Sequence, residues 1–435
     1  MKVPLPKGDK KLLNAWAFYD WANSVYSLTI VSAVFPIFYG VLFEKGESVS
    51  ILGTTIRSTP LITYATALGF IIVAVTSPFL SGIADHIGNK KNFMKFFNYL
   101  GAASCIGLFW FTKETIYTGL LFYILALVGF WGSIVFYNSY LPDIAFEEQQ
   151  DAVSAKGYSL GYLGSVLLLA LNLTMVLYYE TFGFENAIIS MRYSFLLVGV
   201  WWIGFSQYTY YYLPKGFKKE QEVTNSLWNG YKELQKVWKN LSTQTALKRY
   251  LGAFFVYSMA VQTVMLVATY FGEQEIDWGG DDQKTMGLII SILVIQLVAI
   301  LGAVLTSKAS AKFGNVKTLI GLNFIWAFVC LYAYFVTTST QFYATAAVVG
   351  LVMGGIQALS RSTYAKFLPE TQDTTSYFSF FDVAEKIGIV IGMAIFATVD
   401  VLTDSMRYAV LLLFLFFIIG IILLLRVLKI VPQQS

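Results

Sequence analysis

An acidic side chain lies inside the first long apolar run of the chain. This run covers residues 14–43, and Asp20 stands within its segment Trp-Ala-Phe-Tyr-Asp-Trp-Ala-Asn-Ser at 16–24. In a helix that starts near Asn14, a rise of about 1.5 Å per residue places Asp20 roughly 10 Å inside. A carboxylate in an apolar medium is costly unless it is protonated, paired or in contact with water. We therefore interpret Asp20 as functional. The competing interpretation is a residue that reaches the surface or joins two helices by a hydrogen bond.

Charged residues of the second half extend this candidate site. Arg361 is the only basic residue well inside an apolar run of that half. Asp382 and Glu385 stand about one helical turn apart, next to Lys386. We predict a gate for proton coupling or access, in which Arg361 pairs with Asp20 or Asp382. The alternative for Asp382, Glu385 and Lys386 is a ring of helix-end charges in contact with water.

Uncharged polar side chains also interrupt the apolar runs. Each is a candidate for lining a polar cavity, or alternatively for a hydrogen bond between helices worth about 0.6 kcal/mol. They are Asn23, Asn138, Asn172, Gln207, Gln262, Gln296, Asn323 and Gln357.

The composition excludes an ordinary water-soluble domain. Hydrophobic residues make up 57% of the chain and charged residues 13%, with a mean hydropathy of +0.62. The apolar residues fall into runs of about the length that crosses ~30 Å of hydrocarbon, which predicts an all-α polytopic membrane protein with twelve transmembrane helices. The runs cover 14–43, 59–81, 93–111, 116–141, 156–179, 189–213, 250–271, 285–306, 317–337, 342–365, 377–399 and 405–427.

The basic residues predict how the chain is oriented. Lys and Arg favour loops on the cytoplasmic side of a membrane. If the N-terminus is cytoplasmic, only six of the 30 basic residues fall in external segments: Lys45, Arg57, Lys113, Arg192, Lys284 and Arg407. We therefore expect both termini to be cytoplasmic. Because the loops are compact, we expect the membrane to be a bacterial inner membrane.

The second six runs repeat the pattern of the first six. The segment Ser-Gly-Ile-Ala-Asp-His-Ile-Gly-Asn-Lys-Lys at 81–91 matches Ser-Lys-Ala-Ser-Ala-Lys-Phe-Gly-Asn-Val-Lys at 307–317, a shift of 226 positions. Parallel repeats of this kind build one large transporter architecture. We predict a six-helix bundle at 1–213, a cytoplasmic linker at 214–249 and a second, pseudo-symmetric bundle at 250–435.

The linker contains an amphipathic pattern. Its apolar residues recur at spacings of three and four, which is typical of a helix with one apolar stripe. The stripe consists of Leu227, Tyr231, Leu234, Trp238 and Leu241, and the capping candidates before it are Thr224 and Asn225. We expect this helix to lie on the inner membrane surface or under the bundle.

The segment 81–91 resembles the loop signature of the major facilitator superfamily, Gly-x-x-x-Asp-Arg-x-Gly-Arg-Lys. The matching residues are Gly82, Asp85, Gly88, Lys90 and Lys91, whereas Ser81 and His86 depart from the signature. The resemblance implies a major facilitator fold. It also implies a conformational latch between the bundles at Asp85, with Gly88, Lys90 and Lys91. Ala311 replaces the acid in the repeat copy, so we expect a one-sided latch.

At a finer level, the chain resembles the "unknown major facilitator" family, which includes vacuolar amino-acid effluxers tied to autophagy. The matching segments are Tyr-Asp-Trp-Ala-Asn-Ser (19–24), Phe-Tyr-Asn-Ser-Tyr-Leu-Pro-Asp (136–143), Gly-Tyr-Ser-Leu-Gly-Tyr-Leu-Gly (157–164), Gly-Gly-Ile-Gln-Ala-Leu-Ser-Arg-Ser (354–362) and Tyr-Phe-Ser-Phe-Phe-Asp (377–382). One departure concerns the seventh run, where the family pattern often has an acid. Here that segment begins at Tyr257 and has Gln262 as its polar residue.

The resemblance also narrows the cavity residues, because the first, fourth, seventh and tenth helices of this architecture face the cavity. The expected substrate cavity therefore consists of Tyr19, Asn23, Tyr26, Trp131, Asn138, Gln262 and Gln357, with Tyr137 as a further aromatic wall.

Taken together, these features predict a monomeric secondary active transporter that moves an amino acid or related zwitterion by alternating access, with efflux favoured over uptake. Proton coupling through Asp20 is part of this prediction. Its partners are then the lipid bilayer, a small-molecule substrate and protons. The alternatives are an exporter of drug-like or lipid-like solutes, and a membrane receptor without transport activity on the same scaffold.

Other classes of function have little support in the sequence. The apolar runs contain no nucleophile with a base beside it, so we do not expect an enzyme. Cys105, Cys330 and His86 are too few and too scattered for a metal site, and no cofactor motif occurs. No basic stripe with interleaved aromatic residues favours nucleic-acid binding.

Overall fold

The computed structural model describes residues 5–43, 47–51, 53–216 and 226–430. In these ranges the chain consists of long helices and one short hairpin. The elements are α1 Lys10–Leu42, β1 Ser48–Ile51, β2 Thr54–Arg57, α2 Ser58–Ile87, α3 Lys90–Gly107, α4 Ile116–Ser139, α5 Glu147–Leu177, α6 Ala187–Tyr212, α7 Ser226–Thr243, α8 Thr245–Glu275, α9 Asp281–Phe313, α10 Asn315–Ala333, α11 Ser339–Phe367, α12 Thr374–Thr403 and α13 Met406–Leu428. A single helical turn, Leu141–Ile144, follows α4. The hairpin is antiparallel and pairs Ser48 with Arg57 and Ile51 with Thr54.

The first helix has a defined start and a widened middle. The Asp9 carboxylate accepts hydrogen bonds from the backbone N–H groups of Lys11 and Leu12, which otherwise have no partner at a helix start. The segment Ser27–Ala33 is π-helical. Pro36 follows this segment and has no N–H to donate to the carbonyl four residues earlier, which favours an irregular turn there. The π-helical segment separates the part of α1 that carries Asp20 from its second half.

The predicted all-α polytopic fold is confirmed. Eleven helices of the described chain are long and apolar enough to cross a membrane, and they are α1, α2, α4 to α6 and α8 to α13. The predicted third run, 93–111, corresponds to α3, which begins with Lys90 and Lys91 and packs between α4 and α6. A β-carbon on Gly129 of α4 would overlap the backbone of Gly101 in α3, so these two helices cross in close contact.

The helices form two sets. We call α1 to α6 the N-terminal set and α8 to α13 the C-terminal set. The terminus side is the membrane face at which α1 begins and α13 ends. Between the sets, α5 packs on α9 and α11, while α12 packs on α2 and α4. Division of the chain at residues 213 and 249 stays a prediction, as does the assignment of the terminus side to the cytoplasm.

The linker helix α7 packs on α2, α8 and α12. Among the side chains of α7 that the structure describes, Val237 and Leu241 are buried. Of the predicted apolar stripe, Leu241 is buried and Leu234 is half-buried, whereas Tyr231 and Trp238 are 41% and 61% exposed. Trp238 packs on Phe380 of α12, with ring centres 5.5 Å apart. The position of this helix on the membrane surface stays a prediction. Lys45, Thr224, Asn225 and the side chain of Leu227 lie outside the described residues.

Candidate functional site

The two residues predicted to form a gate, Asp20 and Arg361, are in direct contact. Asp20 lies in α1 and Arg361 in α11, so the contact joins the two sets. The Nη1 and Nη2 atoms of Arg361 each donate to Oδ2 of Asp20 at 3.2 Å. The Asp20 and Arg361 side chains are only 6% and 3% exposed. The sequence left two partners open for Arg361, Asp20 and Asp382. In the structure, its partner is Asp20.

Every N–H group of the Arg361 guanidinium has an acceptor. Besides the two bonds to Asp20, Nε donates to the Ser154 hydroxyl at 3.0 Å and Nη2 to the Ser154 carbonyl at 3.0 Å. Nη1 also donates to the Asn138 side-chain oxygen at 3.3 Å. The five donors of an arginine are thus all used. The Tyr137 hydroxyl donates to the same Asp20 oxygen at 2.8 Å, so this oxygen accepts three hydrogen bonds.

Aromatic rings surround the guanidinium. Its central carbon lies 4.3 Å from the ring centre of Tyr158, 4.7 Å from that of Trp16 and 5.4 Å from that of Tyr137. A cation over an aromatic face is attracted by the ring, and the attraction is stronger where water is excluded. The rings therefore stabilise Arg361 in its charged form while keeping water from the ion pair.

A glycine makes room for the pair. Gly157 of α5 lies against it, and a β-carbon there would overlap Oδ2 of Asp20 and come within 3.1 Å of Nη2 of Arg361. Only a residue without a side chain leaves space for the carboxylate at this point.

The pair is costly to break on one side only. Removing one partner of a buried ion pair leaves an uncompensated charge and costs about 3–5 kcal/mol, although the intact pair itself contributes little net stability. Such a contact is suited to holding two sets of helices in one arrangement. When that arrangement changes, water has to reach Asp20 and Arg361 together, so that neither charge is left buried alone.

A second buried cluster lies in α12. Nζ of Lys386 is 2.9 Å from Oδ1 of Asp382 and 2.9 Å from Oε2 of Glu385. We call these three residues the α12 triad. Lys386 also lies 3.4 Å from the ring centre of Trp131 in α4, and Gln262 of α8 donates to Oε1 of Glu385 at 2.7 Å. The triad is buried within the bundle, so the interpretation as helix-end charges in open water is wrong for Asp382 and Lys386, whose side chains are 5% and 1% exposed.

Four predicted cavity residues lie near these two clusters or between the sets. Asn138 binds Arg361, while Trp131 and Gln262 contact the triad as described above. Gln357 of α11 accepts a hydrogen bond from the Tyr162 hydroxyl of α5 at 2.6 Å and so joins the two sets. Whether these residues bind a substrate stays a prediction.

The other three predicted cavity residues are buried in the N-terminal set. Tyr19 is 0% exposed and contacts Asn98 of α3 and Tyr210 of α6. Tyr26, also 0% exposed, packs on Phe130 and Trp202. The expectation that these two tyrosines form a cavity wall is wrong for this arrangement, because they point toward α3, α4 and α6. Asn23 is 1% exposed, and its oxygen accepts a hydrogen bond from Ser24.

The predicted latch residue Asp85 contacts the opposite set. Its carboxylate accepts hydrogen bonds from the backbone N–H of Ser376 at 2.7 Å, the hydroxyl of Ser376 at 2.8 Å and the backbone N–H of Thr375 at 3.3 Å. These groups belong to the first turn of α12. An anion at a helix start satisfies unpaired N–H groups and interacts favourably with the helix dipole. We call this contact the first latch.

The remaining latch residues hold the loop after α2 in shape. Gly88 ends α2 with φ at +70°, a left-handed conformation that favours glycine. Lys90 forms an ion pair with Asp143 and donates to the Thr374 hydroxyl of α12 at 3.0 Å. Lys91 instead donates to the carbonyl of Leu213 at 2.7 Å and so stays within the N-terminal set.

A second contact of the same kind was missed by the sequence analysis. Asp151 of α5 forms an ion pair with Lys366 at 2.7 Å and accepts hydrogen bonds from Ser310 at 3.0 Å and Asn315 at 2.9 Å. All three partners belong to the C-terminal set. The expectation of a one-sided latch, drawn from Ala311, is therefore wrong. We call this contact the second latch.

The acid and the hydroxyl lie on opposite sides of the contact in the two latches. In the first latch the acid ends α2 and the hydroxyl begins α12. In the second the hydroxyl, Ser310, is near the end of α9, and the acid, Asp151, lies in the second turn of α5. The repeat contained the signal for this contact, since the match of Leu-Pro at 141–142 and 368–369 aligns the start of α5 with that of α12.

We expect Asp151→Ala to weaken the contact between the two sets at the terminus side. The change removes three acceptor contacts, and leaving polar groups without a partner costs about 1–3 kcal/mol. The readout is a cysteine introduced by Thr375→Cys, at a residue that is buried beside Asp85. The native Cys105 and Cys330 are replaced first, so that only the introduced cysteine can react. The rate at which a hydrophilic maleimide labels this cysteine should rise about tenfold for each 1.4 kcal/mol by which the contact between the sets is weakened.

Exposed Asp404 supplies the control for this measurement. It has φ at +54°, which asparagine also adopts readily, so Asp404→Asn should leave the labelling rate unchanged. An unchanged rate in Asp151→Ala would show that the second latch does not hold the sets together.

The fold is that of a major facilitator superfamily transporter. A fucose transporter of this superfamily, FucP, solved in its outward conformation, superposes with a TM-score of 0.70 at 13% identity and covers 96% of this chain and 98% of its own. A bacterial homologue of the iron transporter ferroportin in its outward-facing state superposes with a TM-score of 0.65 at 10% identity, over 96% of this chain and 98% of its own. At these identities the likeness concerns the fold.

Sequence relatives define the family more narrowly. The model of the family described as "Vacuole effluxer Atg22 like" matches residues 8–429, so the chain belongs to this family. It is 32% identical to the uncharacterized MFS-type transporter YxiO of Bacillus subtilis, over 97% of this chain and 95% of that protein. It is 24% identical to autophagy-related protein 22 of Kluyveromyces lactis, over 96% of this chain and 93% of that protein. The chain is thus a multi-pass membrane protein and a secondary transporter, as the sequence resemblance implied.

Proposed function

We propose that this transporter moves amino acids or related small zwitterions by alternating access, with the Asp20–Arg361 pair as the gate on the terminus side. The observation that carries this proposal is the pair itself. It is a buried and fully hydrogen-bonded contact between the two sets, in a family described as effluxers.

The distribution of contacts between the sets supports one closed side. Among the described residues, the hydrogen bonds that join the sets extend from the two latches, through the gate, to Tyr162 and Gln357. These residues lie in the part of the bundle nearer the terminus side. In alternating access the same contacts must separate so that the substrate can leave on that side. With cytoplasmic termini, the structure corresponds to an outward-facing state.

The chemistry around the α12 triad suits a small zwitterion. Glu385, with 17% of its side chain exposed, and Gln262 are partly accessible near the middle of the bundle, and Trp131 provides an aromatic surface beside them. Such a site offers an anion for an ammonium group, an amide for polar groups and a ring for an apolar side chain. Efflux from a bacterial cytoplasm by a monomer completes the proposal. The family description supports efflux, the distribution of Lys and Arg supports cytoplasmic termini, and a Bacillus relative supports a bacterial membrane.

Transport in proteoliposomes tests this function. A panel of radiolabelled amino acids is offered to the reconstituted protein with and without a pH gradient, and we expect uptake or exchange of at least one member. Asp20→Asn should reduce that flux about tenfold or more, because the change removes the anion of a gate whose loss costs several kcal/mol.

Asp404→Asn is the matched control, since it makes the same acid-to-amide change at an exposed residue. Full flux in Asp20→Asn would contradict the gate. If no amino acid is moved but lipid-like or drug-like solutes are, the substrate class is wrong and the gate stays to be tested with those solutes.

A further inference from the structure

The α12 triad has more acid than base. Two carboxylates, Asp382 and Glu385, share the single ammonium of Lys386 at 2.9 Å each. With all three groups ionised the triad has a net charge of −1. The gate differs in this respect, since Asp20 and Arg361 pair one to one.

The excess charge is poorly compensated. Asp382 has a side chain that is 5% exposed, and its second oxygen, Oδ2, has no hydrogen-bond partner among the described residues. Oδ2 of Asp20, in contrast, accepts three hydrogen bonds. A carboxylate without full pairing in a membrane interior costs several kcal/mol, and binding a proton removes that cost.

The surroundings favour a proton over a metal ion. Cations such as Ca²⁺ require several oxygen ligands. Here the ammonium of Lys386 occupies the space between the two carboxylates, the Trp131 ring covers it, and Gln262 presents its N–H to Glu385. In the described ranges no group of three or more His, Cys, Asp or Glu side chains is arranged for a metal ion.

We propose that the α12 triad is the site at which this transporter binds and releases its coupling proton, while Asp20 and Arg361 open and close access without carrying it. This inference rests on the proposed function and assigns its driving ion. The proton adds to a carboxylate oxygen of Asp382 or Glu385, and Lys386 then keeps one anionic partner. On release, the proton returns to water and the triad regains its negative charge.

Few other titratable groups face the triad from neighbouring elements. Tyr257 of α8 and Tyr158 of α5 both interact electrostatically with Glu385. On α2, Asp85 faces the first turn of α12, and on α13 the basic residues Arg407 and Arg426 stand at the two ends of the helix. The Tyr158 ring also covers Arg361 at 4.3 Å, so it connects the triad with the gate.

Contact with the other set links the proton to the movement. Trp131 belongs to the N-terminal set and Lys386 to the C-terminal set, and the two are in cation–π contact. When a proton neutralises one carboxylate, the charge balance of the triad changes, and with it the electrostatic attraction that holds Lys386 at its place against α4. Proton binding is thereby coupled to the packing between α4 and α12.

Infrared spectroscopy tests the proton site without any substrate. Difference spectra of the full-length protein in lipid nanodiscs, between about pH 5 and about pH 8, report the C=O band of protonated carboxyl groups, whereas ordinary exposed acids titrate mostly below this range. Every protein in this experiment carries Asp85→Asn, because Asp85 is a further buried acid that would contribute its own band. With the triad intact we expect a titrating band that Asp382→Asn and Glu385→Gln each abolish, because one carboxylate then remains for one ammonium. Asp20→Asn should retain the band.

The possible outcomes separate this proposal from the transport function. A band that survives both triad variants, that disappears in Asp20→Asn, or that requires sodium ions would overturn the proton site. The same holds for a protein with an intact triad that lacks the band. A normal band in a protein that moves no amino acid would leave the proton site intact and contradict the proposed substrate. Each variant is first checked for a single folded species by size-exclusion chromatography.

Discussion

Asp20→Ala should destabilise the protein by about 3–5 kcal/mol, because it leaves the guanidinium of Arg361 buried without its anion. The three hydrogen bonds that Arg361 keeps in this variant, to Ser154 and Asn138, hold the side chain in its buried place. We expect a thermal unfolding midpoint that is several degrees below that of the wild type, measured in detergent by intrinsic fluorescence.

A double variant separates the charge effect from lost packing. Asp20→Ala with Arg361→Met removes both charges, and replacing a whole buried ion pair by apolar side chains is often neutral. The double variant should therefore recover most of the midpoint lost in Asp20→Ala. The single variant Arg361→Met is measured as well. A wild-type midpoint in Asp20→Ala, or a double variant less stable than each single variant, would show that the two groups are not paired in the folded protein.

Gly157→Ala should have the second large effect, through the same pair. The added β-carbon would occupy the position of the Asp20 carboxylate oxygen. Forcing an extra methyl group into a packed interior costs about 1–3 kcal/mol, which corresponds to a shift of roughly 5-fold to 150-fold toward the arrangement with an open terminus side. The labelling rate of a cysteine at position 375 should rise accordingly, and amino-acid flux should fall.

Gly204→Ala is the matched control for this experiment. Gly204 lies in α6, and a β-carbon there has no neighbouring atom within 4 Å. Alanine also favours a helix by up to about 1 kcal/mol relative to glycine, so this control should be neutral or stabilising. Equal labelling rates in both variants would contradict the close fit between Gly157 and the ion pair.

The sequence was informative where charge is rare. Asp20 and Arg361 are unusual in apolar runs, and since unpaired charges are costly in a membrane, a pairing between them could be predicted. The order of the long apolar helices followed from hydrophobicity for the same physical reason, because a span must cover the thickness of the bilayer. Eleven of the twelve predicted runs form helices long and apolar enough to span, and the third run forms the more polar helix α3.

The sequence was less informative about which face of a helix meets which neighbour. Tyr19 and Tyr26 were expected in a cavity but lie within the N-terminal set. Helices surrounded by lipid and by other helices are apolar on most sides, so periodicity does not separate an inward face from a neighbouring one. The π-helical segment after Tyr26 further changes the direction in which later side chains of α1 point.

The second latch shows a different limit. An acid was expected where Ala311 stands, and its absence suggested that the contact was lost. Asp151 supplies the acid from the opposite helix instead. Pairing depends on which groups meet in space, and either side of a contact can provide the anion. A repeat in sequence therefore predicts where two segments meet more reliably than which residue carries the charge.

In the proposed transport cycle, the terminus side opens once in every turnover. Ser139 and Thr375 belong to opposite sets, and their hydroxyl oxygens are 3.3 Å apart, so cysteines at these positions are suited to an oxidative cross-linking experiment. The measurement is amino-acid flux of Ser139→Cys/Thr375→Cys, in a background without Cys105 and Cys330, before and after reduction. We predict no flux in the fully cross-linked protein and recovered flux on reduction. Undiminished flux with the cross-link in place would contradict the account.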